Sequence, residues 1–266
     1  MIELASRSYI GTDKGVNQDA CTALLATAGF GDVALLVVCD GVGGLLSGEQ
    51  AGRAVARAFS EWFERDFPAY AADNLYEGQI DLEGVTPAWS ALLDDLNSRA
   101  WDYSRRLNVR MGATCTALLL CSGSYVCCEV GDCRAYRTGD AGFESLARDQ
   151  TLIQSEDDTG RILPREALKH TASSAVMQAV GARDSLAPDF SFGRYADGDV
   201  FLVCTDGLYR RLGDGRVDLG LAAARRSVGE DGLLDALDSM VAHAVDAGET
   251  DNITGVLARV ADMEQA

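Results

Sequence analysis

Apolar residues recur along the chain at two spacings, and the spacing separates strands from helices. Short runs that are apolar at every or every second position predict strands near Ser6–Ile10, Ala20–Thr27, Val33–Cys39, Ala113–Cys121, Tyr125–Val130, Arg134–Arg137, Val200–Cys204 and Ile253–Val260. Spacings of three and four predict one helix over Gly48–Phe67, through Ala51, Val55, Phe59 and Trp62, and another over Pro87–Leu107, through Leu92, Leu93, Leu96 and Trp101. A third helix is expected over about Asp231–Val245. Grouped strands with helices inserted between the groups, instead of strict alternation, predict an α+β fold of antiparallel sheets covered by helices.

Punctuation along the chain favours one domain over residues 1–266. The four prolines fall between periodic segments, and neither an internal repeat nor a low-complexity linker occurs. One stretch, Met111–Cys128, carries no charge and reaches the length of a spanning helix. Ser122-Gly123-Ser124 interrupts it as a turn, so two buried strands joined by a hairpin are expected, with no membrane span.

Charge changes this picture. The formal net charge of −18 disfavours nucleic acid or an anionic membrane as partner. With only two histidines and no Cys-x-x-Cys pair, zinc and copper sites are improbable, whereas oxygen-ligated Mg, Mn or Ca fits an acid-rich chain. Five of the eight cysteines lie in the strand segment between Cys115 and Cys133, as buried thiols of a reducing compartment, and Met1–Gly11 has no signal-peptide pattern; a cytoplasmic protein is expected.

Most of the acids solvate the surface, but four stand at the ends of apolar strands: Asp40 after VALLVVC, Asp132 in VGDCR, Asp206 after VFLVCT, and Asp251 before NITGVLARV. A lone Asp-Gly after a strand is ordinarily a turn. Four carboxylates at strand ends are a different matter, because each pays desolvation unless a cation neutralises it, and no Lys or Arg stands beside Asp40, Asp206 or Asp251 in sequence. If the ends converge they form an acidic pocket that metal ions would neutralise. The glycine-dense run Gly41-Val42-Gly43-Gly44 beside Asp40 lets backbone approach a ligand closely.

In that order, KGVNQDA (14–20), VVCDGVGGLLSGEQAG (37–52), MGATCTALLL (111–120), VGDCRAYR (130–137), LVCTDGLY (202–209) and GETDNITGVL (248–257) resemble the metal-dependent protein phosphatases of type 2C in their compact bacterial form. The resemblance spans nearly the whole chain. It implies a four-layer αββα sandwich, two antiparallel sheets flanked by helix pairs, with two Mn(II) or Mg(II) ions at one end. By resemblance, Asp40 bridges both metals, the Gly41 carbonyl binds one, and Asp206 and Asp251 complete the partner's ligands. Asp19 acts through water, and Asp132 with Asp206 forms a third, weaker metal site.

The implied chemistry is hydrolysis of phosphoserine and phosphothreonine in proteins by a metal-activated water, opposing a Ser/Thr kinase, in a monomeric enzyme. Two positions depart from the pattern. Lys14 stands where the family grips phosphate with Arg, in a chain whose cations are almost all arginine, and a point charge cannot bind phosphate bidentately. Val42 stands where some members carry a His acid. The Lys14 substitution motivates an alternative, a weakly active or inactive module that binds phosphorylated partners; a phosphatase of small phosphoesters is a third. The segment 148–181, with acidic Glu156-Asp157-Asp158, corresponds to the family's flap and is expected to favour basic residues around the phosphosite; His170 within it is expected to be structural.

Overall fold

The eight expected strand runs and two further strands pair into two five-stranded antiparallel sheets. One has the order β1 (Ile2–Tyr9), β14 (Ile253–Val260), β13 (Val200–Cys204), β10 (Arg134–Gly139) and β11 (Gly142–Ser145). The other runs β12 (Asp189–Arg194), β9 (Ser124–Val130), β8 (Cys115–Cys121), β3 (Gly31–Cys39) and β2 (Ala20–Ala28). Two short ribbons, β4 (Gly41–Gly43) with β7 (Met111–Ala113) and β5 (Leu75–Tyr76) with β6 (Gln79–Ile80), complete the strands among the described residues. The computed structural model describes residues 1–43, 45–146, 150 and 178–261. The acidic triplet at 156–158, His170 and nearly all of the expected flap lie outside the described residues.

Why both sheets are apolar on both faces follows from what each face meets. In β3, Val33, Leu35, Val37 and Cys39 face helices α1 (Leu45–Arg65), α2 (Phe67–Asn74) and α3 (Thr86–Leu107), whereas Ala34, Leu36 and Val38 face the other sheet. In β13, Val200, Leu202 and Cys204 meet α4 (Asp206–Arg226) and α5 (Gly229–Asp246), and Phe201 and Val203 meet the inter-sheet core. Helices, sheet, sheet, helices is the four-layer order expected. Each fully buried Leu or Val contributes about 1.5–3 kcal/mol of burial. The uncharged stretch resolves into β7, β8 and β9, with Ser122 (φ 50°) and Gly123 (φ 74°) forming the two-residue hairpin. Among the described residues no helix is long and apolar enough to cross a membrane, and all eight cysteines are free thiols.

Several elements differ from the sequence reading: β1 starts at Ile2 where Ser6 was expected, and β11, β12, α2 and α4 were not expected. The first helix ends at Arg65, two residues before the expected Phe67, and α2 begins at Phe67 with Pro68 in its first turn. The strand expected from Ala113 is two, because Thr114 turns its backbone N–H to the Asp40 carbonyl (2.9 Å) between β7 and β8. Helix α4 was not expected at all, since Gly207, Gly213 and Gly215 dilute its apolar period and Gly213 breaks it with φ 68°.

Candidate metal centre

Strand register brings the acids together. Ala20 pairs with Cys39, so Asp19 and Asp40, each next to one of that pair, share an end of the second sheet. Cys115 pairs with Val130, which places the Gly131-Asp132 turn at the same end. Cys204 lies opposite both Arg134 and Gly255, so Asp206 and Asp251 meet at the matching end of the first sheet. Two glycines permit the close approach. A Cβ on Gly41 would stand 2.3 Å from the Gly48 carbonyl oxygen and 2.6 Å from that of Gln18; one on Gly207 would stand 2.0 Å from the Asn252 carbonyl oxygen. No side chain fits at either position.

Hydrogen bonds hold the frame. Thr205 Oγ1 donates to Asp19 Oδ2 (3.0 Å) while accepting from the Thr254 amide (3.0 Å). Asn252 Oδ1 accepts from the Gln18 amide (2.8 Å), and its Nδ2 donates to the Ile10 carbonyl (2.5 Å), which pins the Lys14–Asp19 loop to the last motif. The Asp40 amide donates to Thr114 Oγ1 (3.3 Å). Tyr209 O–H donates to the Asp132 carbonyl (2.8 Å), and the Arg134 guanidinium sits 3.8 Å over the Tyr209 ring.

The carboxylates are electrostatically crowded. Burial, then the fields of Asp19, Asp206, Asp132 and Asp251, push Asp40 well above the ordinary carboxylate range, and no described residue donates a hydrogen bond to its side chain. Burial pushes Asp19 up to about 7 despite the threonine hydroxyls. Asp206 is also raised by burial, against the opposing pull of Arg210. Asp251 is lowered: burial is outweighed by the bond from Lys14 Nζ (2.6 Å) and by the Asn252 amide. Burial works against the Lys14 charge, but Asp251, Asp40 and Asp206 leave its pKa raised.

Asp206 and Asp251 have cations beside them, contrary to the sequence reading. Arg210 Nη1 pairs with Asp206 (2.5 Å), and its Nη2 reaches Glu249 (2.9 Å) and Asp251 (3.5 Å). Lys14 reaches Asp251 from the far end of the chain. Arg210 escaped because it lies one turn along an unexpected helix; buried Glu249, paired with Arg210 and Arg211, escaped because an acid before Thr-Asp-Asn reads as loop.

The residues present fit divalent cations. Five aspartates and Glu249 outnumber the cations among them, all candidate ligands are hard oxygens, and among the described residues Asp40 forms no ion pair and receives no side-chain hydrogen bond, Lys14 acting on it only at longer range. Among the described residues no three His, Cys, Asp or Glu side chains are already closed on one point, and Lys14 and Arg210 hold two of the acids.

A family model, protein phosphatase 2C, matches residues 11–252. The chain belongs to the protein phosphatase 2C family. It is 26% identical over 267 residues to the serine/threonine protein phosphatase PstP of Mycobacterium tuberculosis, covering 99% of this chain and 46% of the relative, so it spans about half of that protein's length. It is also 26% identical to the protein phosphatase PhpP of Streptococcus pneumoniae, over 96% of each chain. The PstP catalytic domain in complex with two manganese ions superposes with a TM-score of 0.72 at 26% identity, covering 98% of this chain and 99% of that one.

Proposed function

We propose that this phosphatase 2C member hydrolyses phosphoserine and phosphothreonine in proteins, using two Mn(II) or Mg(II) ions held by Asp40, the Gly41 carbonyl, Asp206 and Asp251. The observation that carries the reading is the half-buried Asp40 carboxylate, in the field of four other aspartates and pushed well above the ordinary carboxylate range, with no ion pair and no side-chain hydrogen bond among the described residues. Two relatives are named protein phosphatases, and one was solved with two manganese ions. When bound, the metals supply a hydroxide at neutral pH and neutralise the phosphoryl oxygens.

The chain's own residues do the rest. Asp19, held by Thr205 and pushed up by burial in the metal-free site, would help position the attacking water once metal is bound. Lys14, a raised-pKa ammonium, transfers from Asp251 to a phosphoryl oxygen once the aspartate is engaged. Asp132, placed by Tyr209, serves with Asp206 a third and weaker metal site. The physiological role that follows is opposition to a Ser/Thr kinase. The alternative, a weakly active binding module, draws on one observation: Lys14 and Arg210 already neutralise Asp251 and Asp206. Turnover of a phosphothreonine peptide with and without Mn(II) separates the two. Manganese-dependent release of phosphate is expected, and no turnover of the peptide at any manganese concentration would defeat the protein phosphatase reading.

A further inference from the structure

A groove runs between α1 and α3, away from the acids but joined to them by a strand. One cavity of about 810 Å³ and a second of about 550 Å³ share Gln50, Ala54, Leu96 and Arg99 along it. It exists because α1 presents Ala54 and Ala58 where larger side chains would close the gap to Leu96. From Gln50 to Glu61 the groove follows α1 for about 17 Å, room for five residues of extended chain or three turns of helix. At its inner end Met111 of β7 lines the cavity, and Ala113, about 7 Å further along the strand, pairs with Gly41 at the candidate centre.

The rim has the opposite sign to the protein. Arg53, Arg57, Arg99, Arg105 and Arg106 face only Glu61 and Asp102 among the lining residues, in a chain of net charge −18. Three of these arginines pair with acids one turn away on their own helices, with side chains 70–80% exposed. Such pairs contribute little and exchange readily for another carboxylate. Arg105 and Arg106 form no ion pair among the described residues; Arg105 lies over Trp101. An apolar floor calls for apolar anchors, and an arginine rim calls for carboxylates around them.

We propose that this groove docks an acidic, apolar-anchored segment of the phosphoprotein substrate, away from the phosphorylated residue, and so raises affinity for substrates that carry one. The inference rests on the phosphatase reading for its substrate but not for its binding site. Acidic partners are the less expected choice for a protein of this charge, which makes the local reversal informative.

The test uses the full chain with Mn(II) and phosphothreonine peptides extended on either side by alternating Glu and Leu, alternating Lys and Leu, or Gly and Ser. A Glu-Leu extension on one side is expected to lower KM about tenfold against Gly-Ser, with kcat unchanged. The triple variant Arg99→Ala/Arg105→Ala/Arg106→Ala, and separately Ala54→Trp, are expected to abolish that advantage while leaving p-nitrophenyl phosphate turnover unchanged. Fluorescence anisotropy of an unphosphorylated Glu-Leu peptide should weaken in the same variants. Equal KM values for the three extensions, preference for Lys-Leu, or an advantage that survives both variants would overturn the proposal. So would variant-sensitive binding to phosphatidylserine vesicles without peptide binding. Absence of p-nitrophenyl phosphate turnover would instead defeat the phosphatase reading, and the anisotropy would still decide the groove.

Discussion

Replacing Arg210 by Met asks how the acid cluster is neutralised. The substitution keeps helix propensity and the apolar stem of α4 but removes the bidentate grip on Glu249 (3.2 and 2.9 Å) and the contact with Asp206 (2.5 Å). Glu249 is buried, while the Arg210 side chain is 43% exposed. The loss therefore falls between the ~0–1 kcal/mol of a surface pair and the ~3–5 kcal/mol of a broken buried pair, about 2 kcal/mol. For a domain of this size that lowers Tm by about 4–8 °C. Differential scanning calorimetry in EDTA should show this decrease. With millimolar Mn(II) the gap should shrink to less than half, because metal then neutralises Asp206 and Asp251 and binds a site made more acidic by the substitution. An equal loss with and without Mn(II) would refute the reasoning, leaving Arg210 a staple of Glu249 with no part in balancing the cluster.

Asp19 shifts from 3.8 to about 7 on folding, so its folded form is favoured while protonated and disfavoured by about 4 kcal/mol once ionised. Stability of the metal-free protein is expected to fall as pH rises from 4 to 7 and beyond, Asp40 adding to the decline; chemical denaturation in EDTA should show it, Asp19→Asn should flatten it, and an unchanged slope would contradict it. Lys14→Arg is expected to lower KM for a phosphopeptide about three- to tenfold through bidentate contact, with kcat little changed in steady-state assays. Asp251→Asn should abolish turnover and weaken Mn(II) binding in calorimetry, whereas Asp132→Ala should lower turnover with two metals still bound.

Much of this was legible before any coordinates. The unbroken apolar runs Val33–Cys39 and Val200–Cys204 identify strands covered on both faces, because burial sets the pattern locally. The strand-end aspartates were legible for the same reason: an acid at the edge of an apolar run needs an explanation. What escaped was whatever depends on convergence. Arg210 and Lys14 meet their acids only after the sheets pack, and Glu249 is hidden in a loop motif. Helix α4 was lost to its own glycines, which serve packing against Asn252 and a break at Gly213. The arginine rim could not be read either, since its members come from two helices separated by α2 and a ribbon.

The central claim is that the acids at the strand ends hold two divalent cations. Anomalous scattering from crystals grown with Mn(II) locates the ions directly. Two peaks are predicted, both within ligand distance of Asp40, one also reached by the Gly41 carbonyl and the other by Asp206 and Asp251. Crystals in which Lys14 and Arg210 keep these acids, with no manganese peak beside Asp40 at saturating metal, would contradict it.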